Sequence, residues 1–398
     1  MAKPMKISFV SGWPVDSPQA FSGTPYFMSK ALQNSFDVKQ TLVTSRTVRS
    51  IIESGNEAYI QTELSRMGEQ ISQELLNSDS DVVLCLGNGI VPFVDTSKPI
   101  VLWHDSIWYG VLPMEFDRFK QEYPLYHRLD QQTFDKCALV VVAADWLKQL
   151  AETYYTVKPG KLRVIPFGAN IAGHFDLPID RILKDRASSP IQLTFIGKNW
   201  QMKGLPLAFE VCERLNKAGM DAVLNVIGTN VPRLSTRRVL SHKLRYHRFT
   251  RKESFLYRYS RATFVNDMGF LNKDKPSESQ SFAHTLEKTH FLLHPTSFDC
   301  FGLVLAEANA YGVPALTTDI MGPQSVVRDG INGYKFPYCD FVDLAVKKIG
   351  ETMRDPSSYF DLAESAYEEY KTRLNWSVSV RELSELLEKQ LIFDKSQN

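Results

Sequence analysis

The chain has 398 residues, of which 43% are hydrophobic and 23% are charged, and its formal net charge is +1. The composition is that of an ordinary soluble globular protein, and the length exceeds what one hydrophobic core usually covers, so we expect two domains. A membrane-spanning or disulfide-stapled protein is excluded, because no long apolar run occurs and the five cysteines are scattered without C-x-x-C spacing. Since no signal-peptide pattern precedes the first predicted strand, we expect the protein to remain in the cytosol.

Short β-rich runs alternate with helical segments along the chain, a pattern typical of parallel sheets joined by crossover helices. In the first half, the predicted strands are Lys6–Val10, Asp81–Leu86, Ile100–Trp103, Ala138–Val142 and Leu162–Ile165. In the second half, they are Ile191–Ile196, Ala222–Ile227, Ala262–Val265, Phe291–His294 and Ala315–Thr317. The sequence therefore predicts an α/β protein with two doubly wound, Rossmann-like domains.

A proline- and serine-containing segment separates the two sets of strands. Residues 174–190, HFDLPIDRILKDRASSP, end in Ser-Ser-Pro, which favours an interdomain linker. We therefore assign residues 1–178 to an N-terminal domain and residues 179–374 to a C-terminal domain. The remaining residues, 375–398, include the amphipathic and charged stretch Trp376–Ile392, which predicts a final helix.

Two features of the first half lie where α/β proteins bind ligands. The first strand leads into a polar loop that ends at Gly23, and a helix is predicted to start near Thr24-Pro25. His104 directly follows a predicted strand, and the carboxyl ends of parallel strands form the ligand-binding edge of an open sheet. A structural turn at Gly23 and a satisfied polar side chain at His104 are the alternatives.

Two lysines follow the first strand of the second half. The sequence LTFIGKNWQMKG places Gly197 and Lys198 directly after the strand, and Lys203 and Gly204 before a predicted helix. Two cations at the carboxyl end of a strand can face a diphosphate. The alternative is a pair of surface lysines that flank a loop.

The segment 233–261 is strongly basic. It contains eight arginines and two lysines against one acid, and these apolar and aromatic residues are interleaved: Leu240, Leu244, Tyr246, Phe249, Phe255, Leu256, Tyr257 and Tyr259. Such a surface can hold anionic lipid headgroups and bring the protein to the inner face of a membrane. A subunit contact, a contact with the other domain or a solvated helical hairpin are the alternatives. Nucleic acid is the least favoured partner, since no known nucleic-acid module accompanies the charge.

The most informative pattern follows the predicted strand Phe291–His294. Asp299 and Glu307 are eight positions apart on either side of Gly302, and the 3.6-residue periodicity that begins at Leu303 predicts a helix there. Backbone N–H groups at the start of that helix can meet an anion, and Glu307 projects from the helix about a turn and a half later. A ligand with a diphosphate between two hydroxyl-bearing sugars would suit these features.

This motif resembles that of the GT-B retaining glycosyltransferases of family four (glycosyl transferases group 1), which transfer sugars from nucleotide diphosphates. Their pattern, E-x-F-G-[LIV]-x-x-x-E-A-x-A-x-G-x-P-V, stands here as Asp299-Cys300-Phe301-Gly302, Glu307-Ala308-Asn309-Ala310 and Gly312-Val313-Pro314. Asp299 replaces a glutamate, which shortens the reach by one methylene. The resemblance implies the GT-B fold: two Rossmann-like, doubly wound domains that face a cleft, and a C-terminal helix that crosses back to the first domain.

The resemblance also implies roles on the donor side. Asp299 would bind the hydroxyls of the donor sugar, and Glu307 would bind the nucleotide ribose. Lys198 and Lys203 hold the places of the Arg and Lys that neutralise the leaving pyrophosphate. The remaining donor contacts in this domain would come from Gly197, Gly302 and Leu303.

Three positions of the first domain take their roles from the same resemblance. His104 would lie close to the transferred sugar, and the loop at Gly23 would approach the donor phosphate. The segment VIPFGAN resembles a family motif in which Gly168 would let the backbone approach the donor. The chain departs from the family at MGPQSVV, where many relatives have G-G-x-P-E-V-V, because Met321 replaces a glycine and Ser325 the glutamate.

The implied activity is retaining, metal-independent transfer of a hexose-type sugar from a nucleotide diphosphate sugar to a hydroxyl of a saccharide, lipid or small molecule. Uridine is favoured over guanosine as the donor base, and no cofactor is implied. No metal site is predicted, because Asp79-Ser80-Asp81 precedes its strand, and His290 and His294, at the two ends of a strand, would lie about 13 Å apart. A nucleotide-sugar epimerase or hydrolase on the same scaffold and a catalytically silent binding protein are the alternatives.

Overall fold

The computed structural model of the protein describes residues 4–43, 51, 54–111, 115–171, 179–186, 190–232 and 250–395. The chain divides into two compact units. Unit 1 comprises Met1–Ala172, Cys300–Leu303 and Thr372–Asn398, and unit 2 comprises Gly173–Asp299 and Val304–Lys371. Among the described residues, each unit contains one six-stranded sheet whose neighbouring strands are all parallel.

The strands follow one another along the chain in two groups of six. The strands of unit 1 are β1 (Lys6–Ser11), β2 (Asp37–Val43), β3 (Val82–Leu86), β4 (Ile100–His104), β5 (Leu139–Val142) and β6 (Leu162–Val164). The strands of unit 2 are β7 (Ile191–Ile196), β8 (Ala222–Ile227), β9 (Val265–Gly269), β10 (Phe291–His294), β11 (Ala315–Thr318) and β12 (Gly333–Phe336).

Helices connect most of these strands, as parallel pairing requires. The first six are α1 (Thr24–Ser35), α2 (Glu57–Leu76), α3 (Phe116–Glu122), α4 (Pro124–Lys136), α5 (Asp145–Tyr154) and α6 (Ile179–Asp185). The next four are α7 (Leu205–Lys217), α8 (Arg251–Tyr259), α9 (Pro276–Lys288) and α10 (Leu303–Asn309). The last four are α11 (Met321–Val326), α12 (Phe341–Arg354), α13 (Pro356–Thr372) and α14 (Trp376–Lys395).

Apolar strands form the centre of each unit. Every residue of β3, β4 and β5 is buried, which fits a parallel sheet that is covered on both faces. The side chains that fill the cores include large aromatic residues that are at most 1% exposed, among them Trp103 and Phe134 in unit 1 and Phe195 and Phe209 in unit 2. These two cores form separate clusters of buried residues.

The strand order locates the ligand-binding edge of each sheet. In unit 2 the order is β12-β11-β10-β7-β8-β9, so the direction of winding reverses between β7 and β10. In unit 1 the order is β2-β1-β3-β4-β5-β6, and the reversal falls between β1 and β3. Open α/β sheets bind ligands beyond the carboxyl ends of the strands at such a switch point. We therefore expect binding or catalytic residues in the loops after β7 and β10 and in those after β1 and β3.

The predicted α/β fold with two Rossmann-like domains is confirmed, and nine of the ten predicted strands match within one residue at either end. The prediction of a strand at Ala262–Val265 was wrong, because Ala262 lies in the turn that ends α8 and its N–H donates to Tyr259 O. The edge strands β2 and β12 were not predicted. The former, DVKQTLV, has three consecutive polar residues at its centre, and the latter is four residues long, so neither gives the continuous apolar signal of the central strands.

The segment predicted to be a linker contains a helix that packs into unit 2. Within residues 174–190, α6 buries Ile182 and Leu183, and Leu183 belongs to the core of this unit. Residues 172–178 and 187–189 lie outside the described part of the chain. What the sequence indicated as a simple connection therefore contributes part of the packing of the second domain.

Arg186, directly after α6, is a buried cation held by backbone carbonyl groups. Its side chain is 2% exposed. Its guanidinium donates to the carbonyl oxygens of Leu286, Glu287, Tyr311 and Gly312 at 2.5–3.0 Å. This residue joins the ends of α9 and α10 to α6, a role that the sequence pattern did not indicate.

Arg186→Met should destabilise the protein by about 3 kcal/mol or more, because four buried carbonyl groups lose their donor. Urea unfolding of the variant and of the wild type measures this difference. Arg181→Met is the matched control, since Arg181 is an exposed residue of α6, the helix that Arg186 follows, and its loss should cost less than about 0.5 kcal/mol. Equal stability of the Arg186 variant and the wild type would contradict the assigned role.

Candidate active site

A buried charged cluster lies at the switch point of the unit 2 sheet. Lys203, in the loop after β7, places Nζ 2.6 Å from Asp299 Oδ2 and donates a second hydrogen bond to Phe298 O at 3.0 Å. His294, the last residue of β10, has its Nε2 2.9 Å from the same Asp299 oxygen. The side chains of Lys203 and Asp299 are 18% and 17% exposed, and that of His294 is 1% exposed. The structure thus brings the predicted lysine and carboxylate into direct contact and adds a histidine.

Burial and neighbouring charges determine the protonation states of Asp299 and His294. Burial alone would raise the pKa of Asp299, but the Lys203 ammonium and the hydrogen bond from His294 hold it well below its usual range. Burial lowers the pKa of His294, and the neighbouring Asp299 only partly opposes this effect. Asp299 is therefore ionised and His294 neutral, and the Nε2–H of His294 donates to the carboxylate. One ammonium and one carboxylate then compensate each other in a largely buried place.

The cluster retains hydrogen-bonding capacity for a ligand. An ammonium has three N–H groups, and Lys203 uses two of them for Phe298 and Asp299. Both contacts of the Asp299 carboxylate fall on Oδ2. Within the described residues, one N–H of Lys203 and the Oδ1 of Asp299 are left for other partners. A phosphate oxygen could accept from the first, and a sugar hydroxyl could donate to the second.

Glycines allow the loops that carry this cluster to approach each other. Gly204, which precedes α7, has a φ of 80°. A Cβ at this position would lie 1.9 Å from Pro295 O, in the loop after β10. A Cβ at Gly197 would lie 2.9 Å from the Cβ of Lys203. The G-K-x4-K-G spacing of the sequence is therefore explained by close packing of the β7–α7 loop as well as by its charge.

Glu307 forms a second buried ion pair. It lies on α10, its side chain is 3% exposed, and its Oε1 is 2.6 Å from Lys273 Nζ. The Lys273 side chain, which is 19% exposed, also lies over the ring of Phe282, with its Nζ 4.7 Å from the ring centroid. Lys273 follows β9 and was not predicted as a site residue. One carboxylate oxygen of Glu307 is thus already occupied by a protein cation.

Lys198 stands apart from the buried cluster. It is exposed, and its ammonium lies 5.4 Å from the ring centroid of Phe270, which is itself 43% exposed. An exposed phenylalanine beside a lysine offers one stacking surface and one positive charge in the region after β9. Thr229, after β8, adds a buried hydroxyl for which the described residues provide no hydrogen-bond partner. These features lie along the half of the sheet formed by β7, β8 and β9.

The loop after β11 touches the site through its backbone. Helix α10 begins at Leu303, as predicted, and Gly302 before it has a φ of 89°. The N–H of Gly322 donates to Asp299 O at 3.1 Å. Its neighbour Met321 has a φ of 40°, a left-handed conformation that L side chains rarely adopt. This is the position at which the sequence has methionine where many relatives have glycine.

Met321→Gly should raise the free energy of unfolding by up to about 1 kcal/mol. The left-handed conformation costs a side-chain-bearing residue roughly 1–2 kcal/mol, and the greater entropy of an unfolded glycine offsets part of the gain. Chemical denaturation measures the change. Lower stability of the variant would show that contacts of the Met321 side chain outweigh the backbone strain.

In unit 1, His104 is the last residue of β4 and is 5% exposed. Its Nδ1 lies 2.8 Å from Ser106 O and 3.0 Å from Ser106 N. Asp105 Oδ1 lies 3.4 Å from the same ring nitrogen. The Nε2 of His104 is buried and has no hydrogen-bond partner among the described residues. The predicted site residue therefore presents one unused polar atom.

Two further predicted site residues, Gly23 and Gly168, occupy close-packed positions in unit 1. Gly23 has a φ of 93°, and a Cβ there would lie 2.9 Å from Pro18 O. A Cβ at Gly168 would lie 2.2 Å from the backbone N of Trp376, the first residue of α14. Gly168 thus has a packing role, which the resemblance did not indicate. The Trp376 Nε1–H donates to Asn170 Oδ1 at 2.9 Å, which fixes the C-terminal helix onto this motif within unit 1.

The second half of the chain matches a known protein family. Residues 180–369 match the family model described as glycosyl transferases group 1. This segment, just under half of the chain, belongs to the glycosyltransferase group 1 family. The matched segment contains the whole buried cluster, Glu307 and the loop at Met321.

Solved structures and a curated relative extend the comparison. A sucrose-phosphate synthase from Thermosynechococcus elongatus has a TM-score of 0.68 with 16% identity and covers 98% of this chain and 99% of its own. Anabaena HepE in complex with UDP has a TM-score of 0.65 with 15% identity, over 97% of this chain and 100% of its own. These likenesses show the fold. A sucrose synthase from Denitrovibrio acetiphilus is 23% identical over 112 residues, which is 27% of this chain but only 14% of that protein.

The basic segment of this glycosyltransferase is described only in part. Residues 233–249 lie outside the described part of the chain. In the remainder, α8 begins with a capping box formed by Thr250 and Glu253. Phe255, Leu256 and Tyr259 are 5–6% exposed and belong to the unit 2 core. The interpretation of these three residues as part of an interaction surface was wrong, because they form the apolar face of a helix packed against the sheet.

Lys203, Asp299 and Glu307 were predicted from the sequence, whereas the residues that hydrogen-bond to the two carboxylates, His294 and Lys273, were not. The sequence pattern presents His294 only as a possible metal ligand, although its position at the carboxyl end of an apolar strand is compatible with a contact to Asp299. Lys273 had no signal beyond its place after β9. His290, which directly precedes β10, donates from Nε2 to Arg186 O, away from the cluster.

The residues that the structure covers contain neither a metal-ligand cluster nor a membrane-spanning helix. No group of three or more His, Cys, Asp or Glu side chains is arranged to hold a metal ion. None of the described helices is long and apolar enough to cross a membrane.

Proposed function

We propose that the protein is a retaining hexosyltransferase that uses a nucleotide diphosphate sugar, with UDP favoured over GDP. The observation that carries this proposal is the Lys203–Asp299–His294 cluster at the β7/β10 switch point, together with Glu307 on α10. The cluster offers a cationic N–H and a carboxylate oxygen side by side. In a nucleotide diphosphate sugar, the cationic N–H can bind the diphosphate and the carboxylate oxygen can bind a hydroxyl of the adjoining sugar.

The charge on Lys203 is suited to the step in which the nucleotide leaves. As the bond between the sugar and the diphosphate breaks, negative charge grows on the leaving oxygen. A positioned ammonium in a water-poor site stabilises that charge more in the transition state than in the ground state. Asp299 would meanwhile hold a sugar hydroxyl through Oδ1 and keep Lys203 oriented through Oδ2.

The ribose and base would lie toward Glu307 and Phe270. The Oε2 of Glu307 can accept hydrogen bonds from ribose hydroxyls while Oε1 stays with Lys273. The exposed ring of Phe270 offers a surface on which a base can stack. UDP is preferred to GDP here because HepE, which shares the fold, was solved in complex with UDP.

Transfer is proposed to need no divalent cation, since Lys203 and Lys198 can supply the positive charge that a diphosphate requires. The acceptor hydroxyl is proposed to be bound by unit 1, where His104 offers an unused buried nitrogen. Contact with an anionic membrane through the segment 233–261 remains a proposal, and retention of the protein by phosphatidylglycerol vesicles in flotation assays would test it.

Product analysis with a panel of UDP- and GDP-hexoses tests the proposed function. We expect consumption of one donor, unaffected by EDTA, and a product whose anomeric configuration by NMR equals that of the donor. An inverted product would refute the retaining mechanism. Formation of an epimerised nucleotide sugar would favour the epimerase, and absence of donor binding would favour a silent binding protein.

A further inference from the structure

We propose that Trp13, Phe21 and His104 form a binding site for a pyranose ring, so that the acceptor is a saccharide. This inference rests on the proposed function and identifies the class of acceptor that the function leaves open.

The three rings lie close together and nearly parallel in unit 1. Trp13 and Phe21 are stacked with their centroids 4.1 Å apart and an interplanar angle of 16°. The His104 ring lies 6.0 Å from Trp13 and 5.9 Å from Phe21, at angles of 22° and 25°. Trp13 and Phe21 are only partly buried, so both retain surface that solvent or a ligand can reach.

The topology places this aromatic cluster at a ligand-binding position. Trp13 follows β1, and a Cβ at Gly87, directly after β3, would lie 3.3 Å from the Trp13 ring. The cluster therefore sits at the β1/β3 switch point, where open α/β sheets bind ligands. The hydroxyl of Ser11, the last residue of β1, donates to Trp13 O and accepts from Trp13 N–H, which fixes the backbone of Trp13.

Two residues of the loop that carries Phe21 have strained backbone conformations. Phe21 and Ser22 have φ angles of 45° and 57°, although neither is glycine. The side-chain amide of Asn170 donates to Ser22 O at 2.9 Å and so holds this turn. Strained residues that the surrounding structure fixes are concentrated at ligand sites.

The polar complement of the site is the Nε2 of His104. It is buried without a partner among the described residues, whereas Nδ1 is held by Ser106. If Nδ1 donates to Ser106 O, Nε2 accepts; in the other tautomer Nε2 donates. A hydroxyl can meet either requirement. A flat apolar surface beside one hydrogen-bonding atom matches a pyranose, which has an aliphatic face and a rim of hydroxyls, better than it matches an acyl chain.

Saturation-transfer NMR with methyl glucoside, methyl galactoside and methyl mannoside, in the presence of UDP, tests the proposal. We expect strong saturation of the aliphatic ring protons of at least one glycoside with the wild type. Trp13→Ala should weaken the binding of that glycoside by about tenfold, the size expected for one lost aromatic contact. Tyr59→Ala, at a 41% exposed aromatic residue of α2, should leave it unchanged.

A second readout keeps the test independent of the folding of the Trp13 variant. In the wild type, titration with the bound glycoside should shift the imidazole resonance of His104, which is assigned by its absence in His104→Gln. Binding of no glycoside, an unshifted His104, or unchanged affinity of folded Trp13→Ala would each overturn the proposal. Failure of UDP to bind the wild type would instead refute the proposed function.

Discussion

Replacing Lys203 by methionine should lower kcat/KM for sugar transfer by about 30- to 1,000-fold, because a positioned charge on the leaving group contributes roughly 2–4 kcal/mol to the barrier. Lys203 has two N–H groups occupied by Phe298 and Asp299, so its position is fixed before the donor arrives. No reorganisation of this cation is then needed as the bond breaks. Steady-state kinetics on the donor identified by product analysis measures the effect.

Lys275→Met is the matched control for this experiment. Lys275 is a surface residue of unit 2 whose side chain is 63% exposed and paired with Glu278, so its loss should change kcat/KM less than twofold. Lys203→Arg should retain part of the activity, since it keeps the charge while changing the shape of the donor group. A Lys203→Met variant with wild-type kinetics would remove Lys203 from the mechanism.

Lys203→Met should also reverse the sign of the contribution that Asp299 makes to the pH dependence of the free energy of unfolding. In the wild type the pKa of Asp299 is held below its usual value, so the ion pair stabilises the folded protein above about pH 4 and loses that contribution as the pH falls further. Without Lys203, burial raises the pKa of Asp299, so the contribution of this carboxyl to stability increases as the pH falls toward about 4 and stays constant below it. Urea unfolding at pH 6 and pH 3.5 distinguishes the two signs.

Breaking the Lys273–Glu307 pair should cost about 3 kcal/mol of stability for either single substitution to leucine. Each substitution leaves the other residue as an unpaired charge, although the side chain of Glu307 is only 3% exposed and that of Lys273 only 19% exposed. Removal of one member of a buried ion pair is strongly destabilising. The double variant should lose less than the sum of the two single variants, because no uncompensated charge remains. A double-mutant cycle by urea unfolding measures this coupling.

The Lys275–Glu278 pair provides the control cycle, since its side chains are 63% and 28% exposed and its coupling should be below about 1 kcal/mol. Donor binding separates the roles of the two buried residues. Glu307→Leu should abolish the contact to ribose hydroxyls, whereas Lys273→Leu leaves that carboxylate present. Equal loss of donor affinity in both folded variants would show that Lys273 acts as more than a support for Glu307.

The fold was accessible from the sequence because its strongest signals are local. Central strands such as β3 and β5 are continuous apolar runs, and their alternation with helices specifies parallel sheets. Edge strands carry weaker signals, which explains why β2 and β12 were not predicted. The helix α6 was read as a linker because its short apolar stretch is flanked by proline and serine, whereas its stability comes from tertiary contacts of Leu183 and Arg186.

The site was predicted only as far as individual residues allow. Lys203 and Asp299 could be named because they are charged residues in glycine-containing loops after strands, and Glu307 because it completes the family pattern. Their partners could not, since His294 and Lys273 acquire meaning only when distant loops meet. The left-handed backbone conformations of Met321 and Phe21 likewise could not be predicted, because they arise only in the folded chain.

Isothermal titration calorimetry with UDP and GDP, in buffer containing EDTA, tests the central claim that unit 2 carries a nucleotide diphosphate site centred on Lys203. We expect the wild type to bind one nucleotide, with UDP the tighter ligand, and Lys203→Met to bind it at least about tenfold more weakly while Lys275→Met binds like the wild type. Absence of binding to the wild type, or equal affinity of folded Lys203→Met, would contradict the account.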